Sequence, residues 1–271
     1  MSNLQIRVIS AVVLGIAVLG VTWFGGLPFR LLAALIAGAI FYEWVHMTRP
    51  EGGSRLGFLP EVLMLVFMGV LVAGLPALSV AGILALLVAI LAIGVSMRGA
   101  GQWDVAGLAY AGLSGFSLAF LRDGGWSGLA AVLFLFAVVW ATDIFAYFVG
   151  RAVGGPKLAP AISPGKTQSG ALGGAIFGVV AGVLVAMVLG VPNLIVLGLV
   201  ALALSVVSQA GDLFESWVKR RHGAKDSSAI IPGHGGVMDR VDGLVAAALA
   251  LYLIGWMTGS ADHPAQGLFP V

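Results

Sequence analysis

The chain has 271 residues, of which 60% are hydrophobic and only 10% charged, with a mean hydropathy of +1.06; a soluble domain is about half apolar, so these values exclude one and imply an integral membrane protein. A net charge of +2 and a pI near 9.2 exclude a nucleic-acid binder, because the cations are few and split by apolar runs instead of lining a groove. With Cys 0 there is no disulfide framework, no thiolate nucleophile and no Cys-ligated metal.

Nine apolar segments follow, each near the ~20 residues that span a hydrocarbon core: Val8–Gly25, Leu27–Met47, Phe58–Leu75, Leu78–Met97, Val105–Leu121, Gly125–Val149, Ala171–Leu189, Leu194–Phe214 and Val241–Met257. The predicted fold is all-α, a polytopic membrane protein of about nine transmembrane helices. Residues 1–122 form five scaffold or dimer spans, and residues 123–271 form four catalytic spans with polar loops at 150–170 and 216–240. The first segment has only Arg7 ahead of it and no Ala-x-Ala site after it, so it reads as an uncleaved anchor. Pro28, Pro76 and Pro192 mark tight turns.

If the N-terminus is cytoplasmic, Arg7, Arg49, Arg55, Arg98, Arg151, Lys157, Lys166, Lys219, Arg220, Arg221, Lys225 and Arg240 lie inside, and only Arg30 and Arg122 outside. That bias predicts a bacterial inner-membrane protein with its polar loops and active site facing the cytosol.

In the second segment Glu43 and His46 are three residues apart on one helical face, and a local hydrogen-bonded pair is expected. Trp44, Trp103 and Trp126, near segment ends, are expected to be interfacial anchors. The sixth segment carries Asp143 about two turns before Arg151. A carboxylate at that depth must face a polar cavity or pair with a neighbouring helix. Ser163-Pro-Gly-Lys-Thr-Gln-Ser-Gly170 reads as a flexible anion-binding turn, but it lacks the upstream glycine and strand of a P-loop. Gly170, Gly174, Gly178 and Gly182 recur every fourth residue and make a ridge for close helix packing, within the subunit or across a dimer.

Asp212, Glu215, Ser216 and Lys219 share one stripe at the end of the eighth segment, and Asp239 and Asp242 one face at the start of the ninth. Between them Lys219, Arg220, Arg221, Lys225, Asp226 and a Gly233-His-Gly-Gly236 turn are crowded into a chain otherwise poor in charge. A basic loop that only sets topology would explain Lys219 to Arg221, but not carboxylates at the mouth of an apolar helix. The inventory suits a metal-chelated polyphosphate: carboxylates for Mg²⁺, cations for phosphate oxygens, and glycines for close backbone approach. Zinc is excluded, because there is no Cys and His46, His222, His234 and His263 are dispersed.

From Ser216 to Asp242 the order Ser-x-x-Lys-Arg-x₄-Lys-Asp, then Pro-x-His-Gly-Gly-x-x-Asp-Arg-x-Asp, resembles the signature of the phosphatidate cytidylyltransferases, the CDP-diacylglycerol synthases. Asp143 before Ala146-Tyr-Phe-Val-Gly-Arg151 resembles the corresponding helix, and Ser163 to Gly170 a second motif, with Ser169 where Glu is expected. The resemblance covers Ala141 to Gly243. It implies CTP and phosphatidic acid as substrates and a homodimer, beside the membrane lipids, the Mg²⁺, alone or with a second cation, and the lack of a nucleic-acid partner expected from composition and the charged residues. Asp212, Asp239, Lys219, Lys225 and Arg240 are then the catalytic candidates. Ser163, Lys166, Thr167, Ser216, Arg220, Asp226, His234, Gly235, Gly236 and Asp242 are substrate-binding candidates. Asp212, Asp239, Asp143 and Glu215 are metal-ligand candidates. Two other readings stay open: a CTP-dependent lipid kinase of the polyprenol type, and a cation-coupled transporter with its ion at Asp143.

Overall fold

The computed structural model describes residues 3–49, 56–99, 101–123, 125–231 and 235–270, with side chains from residue 12 onward. Its elements in chain order are α1 (Asn3–Phe24), α2 (Gly26–Thr48), α3 (Leu59–Val72), α4 (Ala77–Arg98), α5 (Trp103–Arg122), α6 (Gly125–Val153), β1 (Lys157–Ala159), β2 (Ser163–Thr167), α7 (Gln168–Val188), α8 (Leu194–Arg221), α9 (Met238–Thr258) and α10 (Ala265–Leu268). The apolar runs become helices because each stretch lets the backbone satisfy its own polar groups, which lipid does not do. Their ends carry the expected punctuation. Pro60 stands in the first turn of α3, where its missing N–H has no helical partner to lose, and Pro76 precedes α4. Gly99 closes α4 in the left-handed conformation, at φ +60°.

Among the described residues seven helices, α2 and α4 through α9, are long and apolar enough to cross a bilayer, and two apolar stretches, Val12–Phe24 of α1 and Leu59–Val72, are shorter. With 14 residues α3 gives only about 21 Å of helix, less than the ~30 Å hydrocarbon core. Large apolar side chains such as Leu65, Leu86 and Ile195 lie exposed on the helices, as lipid contact requires. The chain is an all-α polytopic membrane protein.

The chain divides into two compact units: Met1–Ala119 with Ala224–Arg240, and Phe120–Gly223 with Val241–Val271. In the first unit Trp44 is not the interfacial anchor its position suggested. It is 1% exposed, and its indole N–H donates to the Trp103 carbonyl at 2.8 Å. A Cβ on Gly107 would come within 2.4 Å of the Trp44 ring, so this glycine makes the room the indole occupies. Burial works for Trp44 because its single polar atom has a backbone partner. Arg49, just beyond α2, joins the starts of α3 and α5 through ion pairs with Glu61 and Asp104. Burial works against the Arg49 guanidinium, but its hydrogen bonds to Glu61 and Asp104 and their negative charges outweigh it and hold the group above its ordinary range.

In the second unit the glycine ridge is used inside the subunit. A Cβ at Gly170 or Gly174 would lie 2.6 or 2.7 Å from the carbonyl oxygens of Ala146 and Thr142 on α6, and one at Gly178 would lie 2.4 Å from Thr142 Oγ1. Gly182 meets Val138 of α6 and Ala201 of α8 in the same way, so α7 is seated against both. Where the helices come this close, Thr142 donates to Ser205 Oγ at 2.8 Å, fully buried.

The stretch Ser163 to Gly170, read as a flexible turn, is the second strand of a β-hairpin followed by the first residues of α7, with Lys157 opposite Thr167 and Ala159 opposite Ser163. Pro160, Ala161 and Ile162 close it, with Ile162 N–H on the Ala159 carbonyl. Pro164 is tolerated because a two-stranded sheet is all edge. Beyond α9 the chain returns through α10, and Phe269 packs edge-on against Phe134 at 5.3 Å.

Candidate active site

The second unit contains a cavity of about 660 Å³, inside the range of small-molecule sites. Asp143, Tyr147 and Arg151 reach it from successive turns of α6, Lys157, Gly165, Lys166 and Thr167 from the hairpin, and Gln209 and Asp212 from α8. Gly150, Gly154, Gly155 and Gly170, which carry no side chains, line the same wall. The hairpin therefore positions Lys166: its ammonium pairs with Asp212, whose other oxygen accepts from Ser216 at 3.3 Å. Arg151 donates to the Tyr147 hydroxyl at 2.9 Å, one turn back on α6. Asp212 lies within electrostatic reach of Asp143 and of Asp242, and Asp242 takes the N–H of Gly243 at 2.8 Å.

The remaining predicted residues of this unit are placed differently. Thr167 lines the cavity, but its hydroxyl caps α7, accepting from Gly170 N–H at 3.1 Å. Ser163 lies half-buried on β2 and is not among the lining residues. Ser169, where the resembling motif has Glu, donates to the Gly154 carbonyl and ties the hairpin's two flanks together. Glu215 is fully buried and accepts from Lys219 at 2.9 Å, so this carboxylate and ammonium answer each other one helical turn apart, off the cavity wall. Arg220 is exposed.

In the first unit the loop before α9 is gathered on two carboxylates. Oδ2 of Asp239 accepts from the N–H groups of Ser227 and Gly236 and from Ser227 Oγ, each at 2.9 Å. Glu43 of α2, at 0% exposure, accepts from Ser228 Oγ at 2.6 Å and Val237 N–H at 2.8 Å on one oxygen. Its other oxygen accepts from Ser227 Oγ at 3.0 Å and Met238 N–H at 2.7 Å. Glu43 thus does not pair with His46, whose Nδ1 lies 3.1 Å from the Tyr42 carbonyl. The Gly-Gly step has a local cause: Gly235 adopts φ +81°, and a Cβ on Gly236 would lie 2.0 Å from Ser227 Oγ and 2.5 Å from Glu43 Oε1. The N–H of Gly236, expected to face phosphate, is directed to Asp239 instead. Lys225, Asp226 and Arg240 are exposed. His234 and Gly233 lie outside the described residues.

Sequence reasoning passed over Tyr147, Arg151, Lys157 and Gln209 as cavity residues and Glu43 as a loop ligand. A usable signal existed for two of them, since Asp143, Tyr147 and Arg151 are spaced i, i+4 and i+8 and so share one face of α6. Among the described residues no group of three or more His, Cys, Asp or Glu side chains is gathered as a metal cage. Two carboxylates on a cavity wall nevertheless fit Mg²⁺, which takes one or two of them together with substrate phosphates and water.

Comparison with known proteins covers the whole chain. It is 50% identical to a phosphatidate cytidylyltransferase of Brucella suis over 271 residues, 99% of each chain. It is 31% identical to one of Bacillus subtilis over 94% of this chain and 98% of that protein, and 33% identical to one of Staphylococcus epidermidis over 88% and 94%. The sequence model of the cytidylyltransferase family matches residues 5–258, through the cavity helices, the hairpin and the clamped loop alike, and the chain belongs to that family.

Proposed function

We propose that the chain transfers the cytidylyl group of CTP to phosphatidic acid, giving CDP-diacylglycerol and pyrophosphate. The observation that carries the proposal is the cavity of the second unit, where Lys166, Arg151 and Lys157 meet Asp143 and Asp212 beside bare glycine backbone, in a chain half identical to a phosphatidate cytidylyltransferase over its full length. In the reaction a phosphate oxygen of the lipid forms a bond to the α-phosphorus of CTP while the α–β P–O bond breaks and pyrophosphate leaves. A phosphate monoester has a second pKa of ~6, so the nucleophile is already an anion near neutral pH and no general base is needed.

The work left to the chain is positioning and charge neutralisation. Lys166, Arg151 and Lys157 hold phosphate oxygens, with Lys166 exchanging part of its pairing to Asp212 for substrate. Asp143 and Asp212 would hold Mg²⁺, which, when bound, neutralises triphosphate charge and eases departure of pyrophosphate. The resemblance of the signature adds Asp239, Lys225 and Arg240 to the proposed machinery. The distribution of Lys and Arg supports a cytoplasmic N-terminus and polar loops in a bacterial inner membrane. A homodimer, implied by the resemblance, belongs to the proposal too, and the mass of the protein in detergent tests it.

The experiment is purified protein in detergent with labelled CTP, Mg²⁺ and phosphatidic acid. A lipid-soluble cytidine product with release of pyrophosphate supports the reading. Release of CDP with a phosphorylated lipid, or no nucleotide-dependent chemistry, overturns it.

A further inference from the structure

Glu43 is a fully buried carboxylate on a membrane helix, and nothing in the proposed chemistry uses it. An isolated charge there is costly, so such a group persists where it has partners and a task. Among the described residues its partners are on one segment: Ser227 Oγ, Ser228 Oγ, and the N–H groups of Val237 and Met238. They stand 184 to 195 residues further along the chain. Two of the four are N–H groups at the start of α9, which have no partner inside the helix and favour a negative charge. Gly236, between these donors, has no room for a Cβ beside the Glu43 carboxylate.

We propose that Glu43 is a positioning residue for cytidylyl transfer, clamping Ser227, Ser228, Val237 and Met238 so that Asp239 and Arg240 follow from a fixed backbone. The inference rests on the functional reading above. The clamp needs two full acceptor oxygens. An amide in place of the carboxylate keeps one acceptor and turns an NH₂ toward groups that are themselves donors, so at least one backbone N–H loses its partner. An Asp side chain is one methylene shorter and cannot keep all four bonds from the same backbone position. Ser227 Oγ lies within reach of both Glu43 and Asp239, at 3.0 and 2.9 Å. Its single proton serves one of them at a time, which couples the buried carboxylate to the catalytic candidate Asp239, the residue that follows Met238.

The test is Glu43→Gln in the full chain in detergent, read by amide hydrogen exchange and by steady-state kinetics. Exchange is expected to rise about tenfold or more in residues 227–231 and 235–238 and to stay unchanged in Gln168–Val188. The kcat should fall about tenfold to a hundredfold, as a small misplacement of reacting groups does. The KM for CTP should stay within about threefold, because binding groups are retained. Wild-type kcat, or exchange raised throughout the chain, overturns the proposal. If Glu43→Gln does not fold, Ser228→Ala removes one donor and leaves the carboxylate. Faster exchange in residues 227–231 and 235–238 but not in Gln168–Val188, with a kcat loss of about twofold to fivefold, supports the clamp, and no change in either overturns it. A wild-type protein that makes no lipid-linked cytidine overturns the functional reading and the catalytic half of this inference, while exchange alone still decides the clamp.

Discussion

The two units use carboxylates in opposite ways. In the cavity, Asp143 and Asp212 face open space among cations, and the Lys166–Asp212 pair is 27% and 31% exposed. A pair that wet contributes at most about 1 kcal/mol to stability, so its charges are available to a ligand. In the loop before α9, Glu43 and Asp239 have oxygens filled by the chain's own donors. Removing one partner of a buried, bonded charge such as Glu43 costs about 3–5 kcal/mol, and half-buried Asp239 holds the same loop through its Oδ2, so both groups define a conformation. The same side-chain chemistry therefore reads as substrate-facing or as positioning according to what already occupies its lone pairs.

Substitution of the two aspartates is the sharpest way to break this contrast. Asp212→Asn should lower kcat about a hundredfold to a thousandfold while thermal stability holds, because little folding energy depends on an exposed pair. Asp239→Asn should lose comparable activity and also speed amide exchange at Ser227 and Gly236, whose N–H groups it holds. Equal stability changes in the two variants would erase the distinction. Lys166→Met should cost less, about tenfold to a hundredfold in kcat/KM with CTP, since Arg151 and Lys157 share the cavity. A Lys166→Met enzyme with unaltered CTP kinetics would remove the hairpin from the site.

The helices were legible because a run of apolar residues long enough to span lipid has few other structures open to it. The spacing of Gly170, Gly174, Gly178 and Gly182 identified a packing ridge, but which helix it met could only come from coordinates, since small residues carry no address. Asp143, Lys166 and Asp212 were singled out because charge is rare in this chain, and all three line the cavity. Glu43 was placed with His46 because helical spacing sees only neighbours in sequence, whereas its donors come from a loop nearly two hundred positions away. The hairpin escapes for a different reason: Pro and Gly mark a turn, and strands of three and five residues without apolar alternation carry no strand pattern beside it.

Gly236→Ala tests the clamped loop from the backbone side. The new methyl would meet Ser227 Oγ and Glu43 Oε1 at 2.0 and 2.5 Å, so the loop must shift by overpacking, at a cost of about 1–3 kcal/mol. Activity should fall about tenfold, with faster exchange at Ser227, Ser228, Gly235 and Gly236. An Ala variant with unchanged activity and exchange would mean that the loop tolerates other conformations, and the contrast between the units would lose its second half.

Thr167 is the residue where the two kinds of role meet, because it lines the cavity and yet its hydroxyl already accepts from Gly170 N–H at the start of α7. If a filled lone pair marks a structural role, Thr167→Ala should behave as a lost helix cap. Stability should drop by about 1 kcal/mol, or roughly 2–4 °C in Tm, while the KM for CTP stays within about twofold. Thr167→Ser, which keeps the hydroxyl, should restore the Tm. The alternative is a hydroxyl that donates its own proton to a phosphate while still accepting from Gly170, which is chemically open to any Thr. In that case the KM for CTP rises about tenfold in the Ala variant, and capping and binding are not exclusive on this wall of the cavity.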